Sequence, residues 1–516
     1  MSTLYPRLAS PLGGASHPAV LNRRIRDLLL IGASGLIPLL IALGIALEVP
    51  NPNFLVVLGM ALGTLGIVAF AVSPRYEFTL ALLALYLGLL DGPIKLESSN
   101  QGASAVRDVL IAAISVGALV RLVVKREHIH LPPLSGWALA FVALVLVQAA
   151  NPGTHGILKI VGGFRQHLEW VPLFFFGYIV MRSKERFRKF FLILGVIALA
   201  NGVVSTIQTQ LSPTQLASWG PGYSELINGT GNVSGRTYLS EGVARVRPMA
   251  LGSDIGFGGF VGVLALPGIL ALLATGRLRR RWVVVLLSLG VLLAIATSLQ
   301  RTAVLGAVFA LLAFTVFSFS TGRRATRALA AVLVVVALTI VLGSVLTANV
   351  GKGVFSRYTS IAPEKAASTS VNYREKTLEQ IPTDIAYAPF GAGLATVGAA
   401  AYFGGKDPVT IEGHSAGAES QYNFVTLELG LPGLLLWIAL SVKLLVLGAR
   451  RLRDIADLEL RIDLVAVFAS MFAIAIMGFA GPTMSRPPSG PYFWFAAGIF
   501  AYWFAGPGRT TDQMTP

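Results

Sequence analysis

From residue 28 to residue 505 the chain is written almost entirely as long apolar runs separated by short polar links. A run of roughly 20 apolar residues is what a helix needs to cross the ~30 Å hydrocarbon of a bilayer. Runs near 28–47, 53–72, 76–90, 105–124, 133–150, 165–181 and 187–210 fill the first half. Runs near 254–275, 281–299, 302–320, 325–346, 421–447, 462–480 and 490–505 fill the second. The expected architecture is an all-α polytopic membrane protein of about 14 transmembrane helices, within a range of about 12–14. Composition closes off the alternatives: 54% of the 516 residues are apolar or aromatic and only 13% are charged. Soluble domains carry about 25% charged residues, and the mean hydropathy here is +0.70. A soluble enzyme, a disordered chain and a fibrous repeat are excluded. Residues 1–516 read as a single membrane domain, not a soluble catalytic domain on an anchor.

Charge sets the orientation. The net +16 arises from 41 Lys and Arg against 25 Asp and Glu. Basic residues crowd into short links: Arg121–Arg126, Arg182–Lys189, Arg277–Arg281, Arg323–Arg327 and Arg450–Arg453. With the N-terminus inside, those links all fall on the cytoplasmic side, as the positive-inside rule demands. Both termini are then cytoplasmic. Arg23, Arg24 and Arg26 precede the first run, which reads as a retained signal anchor. The membrane accounts for the basic balance without a nucleic-acid partner. The absence of Cys excludes disulfides, thiolate metal sites and cysteine nucleophiles.

Two outer loops are long, 211–253 and 347–420, the second falling between the eleventh and twelfth spans. Long loops in a compact membrane protein are usually functional. The first holds the turn-rich segment INGTGNVSGR. The second holds a stretch near 369–381 whose Val371, Leu378 and Ile381 alternate with charged residues, predicting an amphipathic interfacial helix that Pro382 interrupts.

Insertion rules do not explain the outer arginines Arg107, Arg165, Arg236, Arg245, Arg247, Arg301, Arg357, Arg374 and Arg486. A guanidinium fork at headgroup depth suits a phosphate oxyanion. For each one the competing account is a lipid headgroup or a pair with a nearby carboxylate. The set as a whole, with Arg301 in the very short link SLQRTA, points to a site for a pyrophosphate-linked lipid. At the end of the large loop, EGHSAGAESQYNFVTLELGLPGLLLW places Glu412, His414 and Glu419 before a helix that begins near Gln421. Glu428 follows about two turns into it. A carboxylate or imidazole at that depth is placed to take a proton from a sugar hydroxyl. Glu419 fits equally well as a favourable charge at a helix N-terminus, and His414 as a solvated loop histidine.

These segments resemble the O-antigen ligase and polysaccharide polymerase superfamily. TSLQRTAVLGAVFAL is similar to its Ser/Arg-small-Leu turn. YREKTLEQIPTDIAYAPFGAGLATVG is similar to its Arg-bearing loop helix and the Pro-aromatic-Gly-x-Gly turn after it. ESQYNFVTLELGLPGLLLW resembles its closing signature, and GGFRQHLEWVPLFFFGYIV its earlier Arg-bearing span. The resemblance implies an integral-membrane glycosyltransferase in the bacterial inner membrane, its active site facing the periplasm. Such enzymes move a glycan from an undecaprenyl-diphosphate carrier to an acceptor hydroxyl, without metal or other cofactor. The implied partners are the lipid-linked glycan, a glycan or lipid acceptor and membrane lipids. By position Arg165, Arg301 and Arg374 would hold the diphosphate, with Arg245 and Arg247 beside them; Glu419 or His414 would be the base. The lipid A–core ligases carry a His eleven residues before the Gly that stands here at Gly430. In this chain that position is Glu419, so a polymerase or another surface-glycan transferase fits at least as well as a ligase.

Other chemistry is missing from the sequence. There is no P-loop, no His-Glu-x-x-His and no Asp-x-Asp, and the six His are scattered without metal-ligand spacing. A secondary transporter of a small anion or lipid-linked sugar is the alternative class. Transporters place ionisable residues and broken helices near the bilayer midplane, whereas here most spans are free of acids.

Overall fold

The computed structural model describes residues 75–98, 101–125, 131–230, 242–276, 280–319, 323–350, 378–402 and 420–506, with short stretches near 66–73, 233–240 and 410–415 and at Tyr358. The expected spans 28–47 and most of 53–72 lie outside the described residues. So do Arg357, Arg374, Glu412, Glu419 and the segment 371–377.

The chain is helical. In order come α1 (Tyr76–Glu97), α2 (Gln101–Lys125), α3 (Ser135–Gln148), α4 (Ile157–Leu168), α5 (Pro172–Val180) and α6 (Lys184–Gln210). The loop 211–253 contains α7 (Pro213–Ala217), α8 (Pro221–Asn228) and the strands β1 (Gly229–Thr230), β2 (Val233–Ser234), β3 (Thr237–Ser240) and β4 (Val243–Val246). Next come α9 (Phe257–Thr275), α10 (Arg281–Thr297), α11 (Arg301–Ser318), α12 (Arg323–Val350), α13 (Ile381–Tyr387), β5 (Thr410–Ile411) and β6 (His414–Ser415). The chain ends with α14 (Gln421–Arg451), α15 (Leu458–Met477) and α16 (Ser489–Phe500). Among the described residues, α1, α6, α9, α11, α14 and α15 are long and apolar enough to cross a membrane, and α3 and α10 are shorter apolar helices.

The chain divides into two compact units, residues 1–74 with 112–127, and residues 75–111 with 128–516. Within the first, the Arg121 side chain donates to the carbonyls of Ala71, Val72 and Ser73 at 3.2, 3.0 and 2.8 Å. A cation on carbonyls left open at a helix end offsets their partial negative charge.

Within the second, α9 is the central helix: 89% of its apolar stretch is buried, against 33% for α1. It packs on α6, α10, α11 and α15. A helix with so little polar surface has no solvent face to offer and goes to the middle. Two buried amides at the far end of α6 fix the chain entering α9. Asn201 donates to the Gly88 carbonyl at 2.8 Å and accepts from Leu251 N at 3.0 Å. Gln208 accepts from Met249 N and Ala250 N at 3.0 and 2.8 Å.

Two elements differ from the sequence reading. The segment INGTGNVSGR includes the short antiparallel hairpin β1–β2, and the hairpin β3–β4 follows it. The run read as one span at 165–181 is two helices, α4 and α5, with a turn at Glu169–Val171.

Candidate functional site

The division at Glu169 explains α4. Ile157, Leu158 and Val161 are 75%, 50% and 51% exposed, while Lys159, Gly162, Gly163 and His167 are buried. One apolar face turned outward and one small or polar face turned inward is the pattern of a helix lying in a membrane interface. The inward face meets the loop 388–402, where a Cβ on Gly163 would stand 2.5 Å from that of Leu394.

That loop carries Pro389-Phe390-Gly391-Ala392-Gly393, and it locks into a break in α14. Gly430 lies at φ 67°, ψ −166°, a conformation essentially reserved for glycine, and Pro432 removes a donor two residues on. In an unbroken helix Leu431 N would donate to Leu427 O. Here Leu431 N donates to Pro389 O at 2.9 Å, and Leu427 O accepts from Ala392 N at 2.7 Å. The loop therefore supplies both hydrogen bonds that the break would leave unmade. The backbones come so close that a Cβ on Gly391 would stand 2.4 Å from Glu428 O, and one on Gly430 2.5 Å from Pro389 O. The other side of the loop is tied to the α3–α4 link. Gln148 Nε2 donates to Phe390 O at 2.5 Å, Asn151 Nδ2 to Gly391 O at 2.9 Å, and Leu394 N to Thr154 Oγ1 at 2.8 Å.

Glu428 closes the assembly. It is wholly buried; one oxygen faces His167 Nε2 at 2.7 Å, and the other accepts from Thr396 N and Val397 N at 3.1 and 3.2 Å. Lys159, buried on the same face of α4, donates to Ala395 O and Ala401 O. Glu428 is thus a clip joining α14, α4 and the loop. The sequence carried the signal: an acid inside an apolar helix needs a partner, and GGFRQHLEW contains the histidine. Beside the clip opens a cleft of about 530 Å³ whose lining includes Asn151, His155, Lys159, Tyr387, Phe390 and Thr396.

The start of α14 is set by Ser420, whose hydroxyl accepts from Asn423 N at 3.1 Å, a standard N-cap that satisfies one open amide. Asn423 Nδ2 also donates to Asp384 Oδ2 of α13 at 3.3 Å. Burial raises the Asp384 carboxyl above the ordinary carboxylate range, and the Asn423 amide opposes the rise. Pro382 lies in the first turn of α13, where its missing N–H is no loss; it opens this helix and does not merely stop the one before. Glu419, outside the described residues, immediately precedes the capping serine in sequence. His414 belongs to the two-residue pair β5–β6, opposite Ile411.

The sequence-predicted arginines divide. Arg165 pairs with Asp108 at 2.9 Å and keeps 29% of its side chain exposed. Arg107 is buried among acids, with Glu169 at 2.5 Å, Asp91 at 3.5 Å and Asp108 at 3.4 Å, and stacks over Trp170. Such a guanidinium is committed to holding α1, α2 and the α4–α5 turn together. Arg245, half-buried on β4, stands opposite Tyr238, and the half-buried Arg247 follows the end of that strand. The packing of Val246 and Met249 on Leu96, Leu216, Tyr223 and Ile227 sets their strand. Arg301 is the first residue of α11, after the link Ser298–Gln300 with Leu299 at φ 53°. Gln300 reaches the Ile255 carbonyl at 3.5 Å, and the neighbouring Asp254 pairs with Arg486. The segments bearing Arg301 and Arg486 thus both reach the stretch Asp254–Ile255, through Gln300 and Arg486 itself. No group of three or more metal-ligating side chains occurs among the described residues.

Residues 287–438 match the family model for O-antigen ligase. No curated protein matches the chain. The matched stretch contains the Arg301 link, the Pro-Phe-Gly-Ala-Gly loop and the broken first half of α14, and α4, outside it in sequence, is clipped onto it through His167 and Glu428. Over those residues the chain carries the family region of the O-antigen ligase and polysaccharide polymerase superfamily.

Proposed function

We propose that the protein moves a glycan from an undecaprenyl-diphosphate carrier to an acceptor hydroxyl at the outer face of the bacterial inner membrane, as a surface-polysaccharide polymerase or ligase. One observation carries the reading: the family region and the arginine-bearing helix α4 form one interlocked unit. In the proposed reaction the acceptor oxygen forms a bond to the anomeric carbon as the bond from that carbon to the diphosphate oxygen breaks. The acceptor proton passes to Glu419, with His414 as the other base in reach by sequence, and undecaprenyl diphosphate leaves. Arg165, Arg301 and Arg374, with Arg245 and Arg247 near them, bind the charge that grows on the leaving diphosphate. Preorganised donors aimed at developing charge are the largest single contribution in many enzymes, and here they take the place a divalent cation would otherwise fill. The cleft beside Phe390 and Tyr387 gives the acceptor a route to the same edge.

The test is transfer in nanodiscs with a lipid-linked oligosaccharide and an acceptor glycan. Transfer that persists in EDTA supports the reading. Abolition by EDTA with rescue by Mg²⁺ removes the metal-free mechanism. Absence of transfer, together with uptake of a small anion into proteoliposomes, replaces the enzyme with a transporter.

A further inference from the structure

Between α1, α6 and α16 the helices leave an apolar groove of about 390 Å³. Leu83 and Leu87 of α1, Ile193 and Leu194 of α6, and Pro491 and Phe495 at α16 form much of its wall. Its lining runs along α1 from Glu77 to Gly88 and along α6 from Arg186 to Ile197. Eleven residues of helix cover about 16 Å, close to half of the ~30 Å hydrocarbon layer. The groove is therefore about one leaflet long.

Its two ends differ in chemistry. One mouth carries Glu77, Arg186 and Lys189. Glu77 and Arg186 form an ion pair across it, and the exposed Lys189 leaves the mouth net positive. This mouth sits at the start of α6, within the basic run Arg182–Lys189. Asp91, with Arg107 on it, lies fourteen residues along α1 from Glu77, about 21 Å at helical rise. Because Arg165 joins that cluster through Asp108, the groove mouth and the candidate diphosphate arginines occupy opposite ends of α1.

We infer that this groove binds an anionic phospholipid from the leaflet on the side of the Arg182–Lys189 run, one acyl chain between α1, α6 and α16 and the phosphate at Lys189 and Arg186. The match is of length, polarity and charge. Apolar walls one leaflet deep take a chain, and basic pockets between membrane helices take anionic headgroups. The ion pair with Glu77 holds the Arg186 fork at the rim, so the lysine supplies the excess charge that separates an anionic from a zwitterionic headgroup.

The experiment is native mass spectrometry of the purified full chain in mild detergent, titrated with dioleoyl phosphatidylglycerol or dioleoyl phosphatidylcholine. We expect one phosphatidylglycerol to remain bound at concentrations where phosphatidylcholine is lost. Lys189→Gln should weaken the phosphatidylglycerol adduct about fivefold, the effect of one lysine beside an anionic headgroup, without moving the thermal midpoint. Ile193→Trp, which fills the groove, should remove the adduct of either lipid, with a monodisperse gel-filtration profile showing that the variant is folded. Equal retention of the two lipids, or an adduct indifferent to both substitutions, would overturn the proposal. So would stoichiometric displacement by undecaprenyl phosphate, which would give the groove to the carrier.

Discussion

Arg165 and His167 stand two residues apart on α4 and live in opposite circumstances. His167 is turned under the helix against Glu428, which also accepts two backbone amides and has no contact with solvent. Arg165 is nearly a third exposed and paired with the similarly exposed Asp108. A buried carboxyl group with both oxygens hydrogen-bonded is architecture, because moving it breaks several bonds at once. A partly exposed guanidinium paired with a partly exposed carboxylate can exchange that partner for a phosphate. One helix thus carries the fastening of the site and a candidate part of its chemistry on adjacent faces. The two regions should respond differently to substitution.

The largest effect should come from the interlock. Gly430→Ala places a side chain in a backbone conformation essentially reserved for glycine and drives a Cβ into the Pro389 carbonyl. The expected loss is at least about 3 kcal/mol, seen as aggregation on gel filtration or absence of a thermal transition. A well-folded Gly430→Ala protein would mean that the loop does not replace the helix bonds as described. Next comes the clip. Glu428→Ala strands His167 and two amides in a dry site and should destabilise by about 3–5 kcal/mol. Glu428→Gln keeps an oxygen for Thr396 and Val397 and offers an N–H to the imidazole, so about 1–2 kcal/mol is expected. Thermal unfolding in detergent checks both; equal midpoints for the two variants would remove the clip.

The charged edge should behave in the reverse way, with little change in stability and a large loss of turnover. Arg301→Lys keeps the charge and loses the planar fork, so it should fall nearly as far as Arg301→Ala, by roughly 10²–10³ in rate. Glu419→Gln should lower turnover by roughly 10²–10⁴ while binding of the lipid-linked donor persists; His414→Ala should be milder. If Arg301→Lys works normally and Glu419→Gln turns over at the wild-type rate, both roles are wrong.

What the sequence made legible follows the range of the interactions. Among the described residues, six of the apolar runs are helices long and apolar enough to cross a membrane, and they could be read because such helices are written locally, as runs of apolar residues. The α4–α5 division was missed because Glu169, which marks it, finds its partner Arg107 sixty-two residues away in the chain. The Pro-Phe-Gly-Ala-Gly loop and the Gly-Leu-Pro-Gly stretch were each visible as motifs. That one supplies the hydrogen bonds missing from the other is a fact of three dimensions, with neighbours 35 residues apart at Ala392 and Leu427. Arg107 stood among the outer arginines by position and left them by burial, since no local pattern reveals three acids around it. The resemblance reached further than periodicity because it joins distant segments.

The smallest effect lies at the far end of the bundle and tests the comparison where neither interlock nor chemistry is present. Asp457 caps α15, accepting from Glu459 N and Leu460 N at 2.9 and 3.2 Å, and pairs with Lys184 at the start of α6 at 2.7 Å. Partial burial alone would raise its carboxyl, but the Lys184 ammonium and the two amides outweigh it and hold the group below the ordinary carboxylate range. A depressed folded pKa means that the folded state favours the ionised form. The stabilisation is therefore complete above the unfolded carboxylate range near pH 4 and is lost as pH falls through the folded value. Both partners are more than a third exposed, so the ion pair adds little and the cap dominates. Asp457→Ala should lower stability by about 1 kcal/mol at neutral pH, while Asp457→Asn, which still caps, should lose a fraction of that. At pH 3 the gap between Asp457→Ala and the parent should shrink, because the parent carboxyl begins to take up a proton. Thermal midpoints at the two pH values decide it. A gap that widened on acidification would mean that Asp457 is held protonated in the fold, and the sign of the argument would reverse.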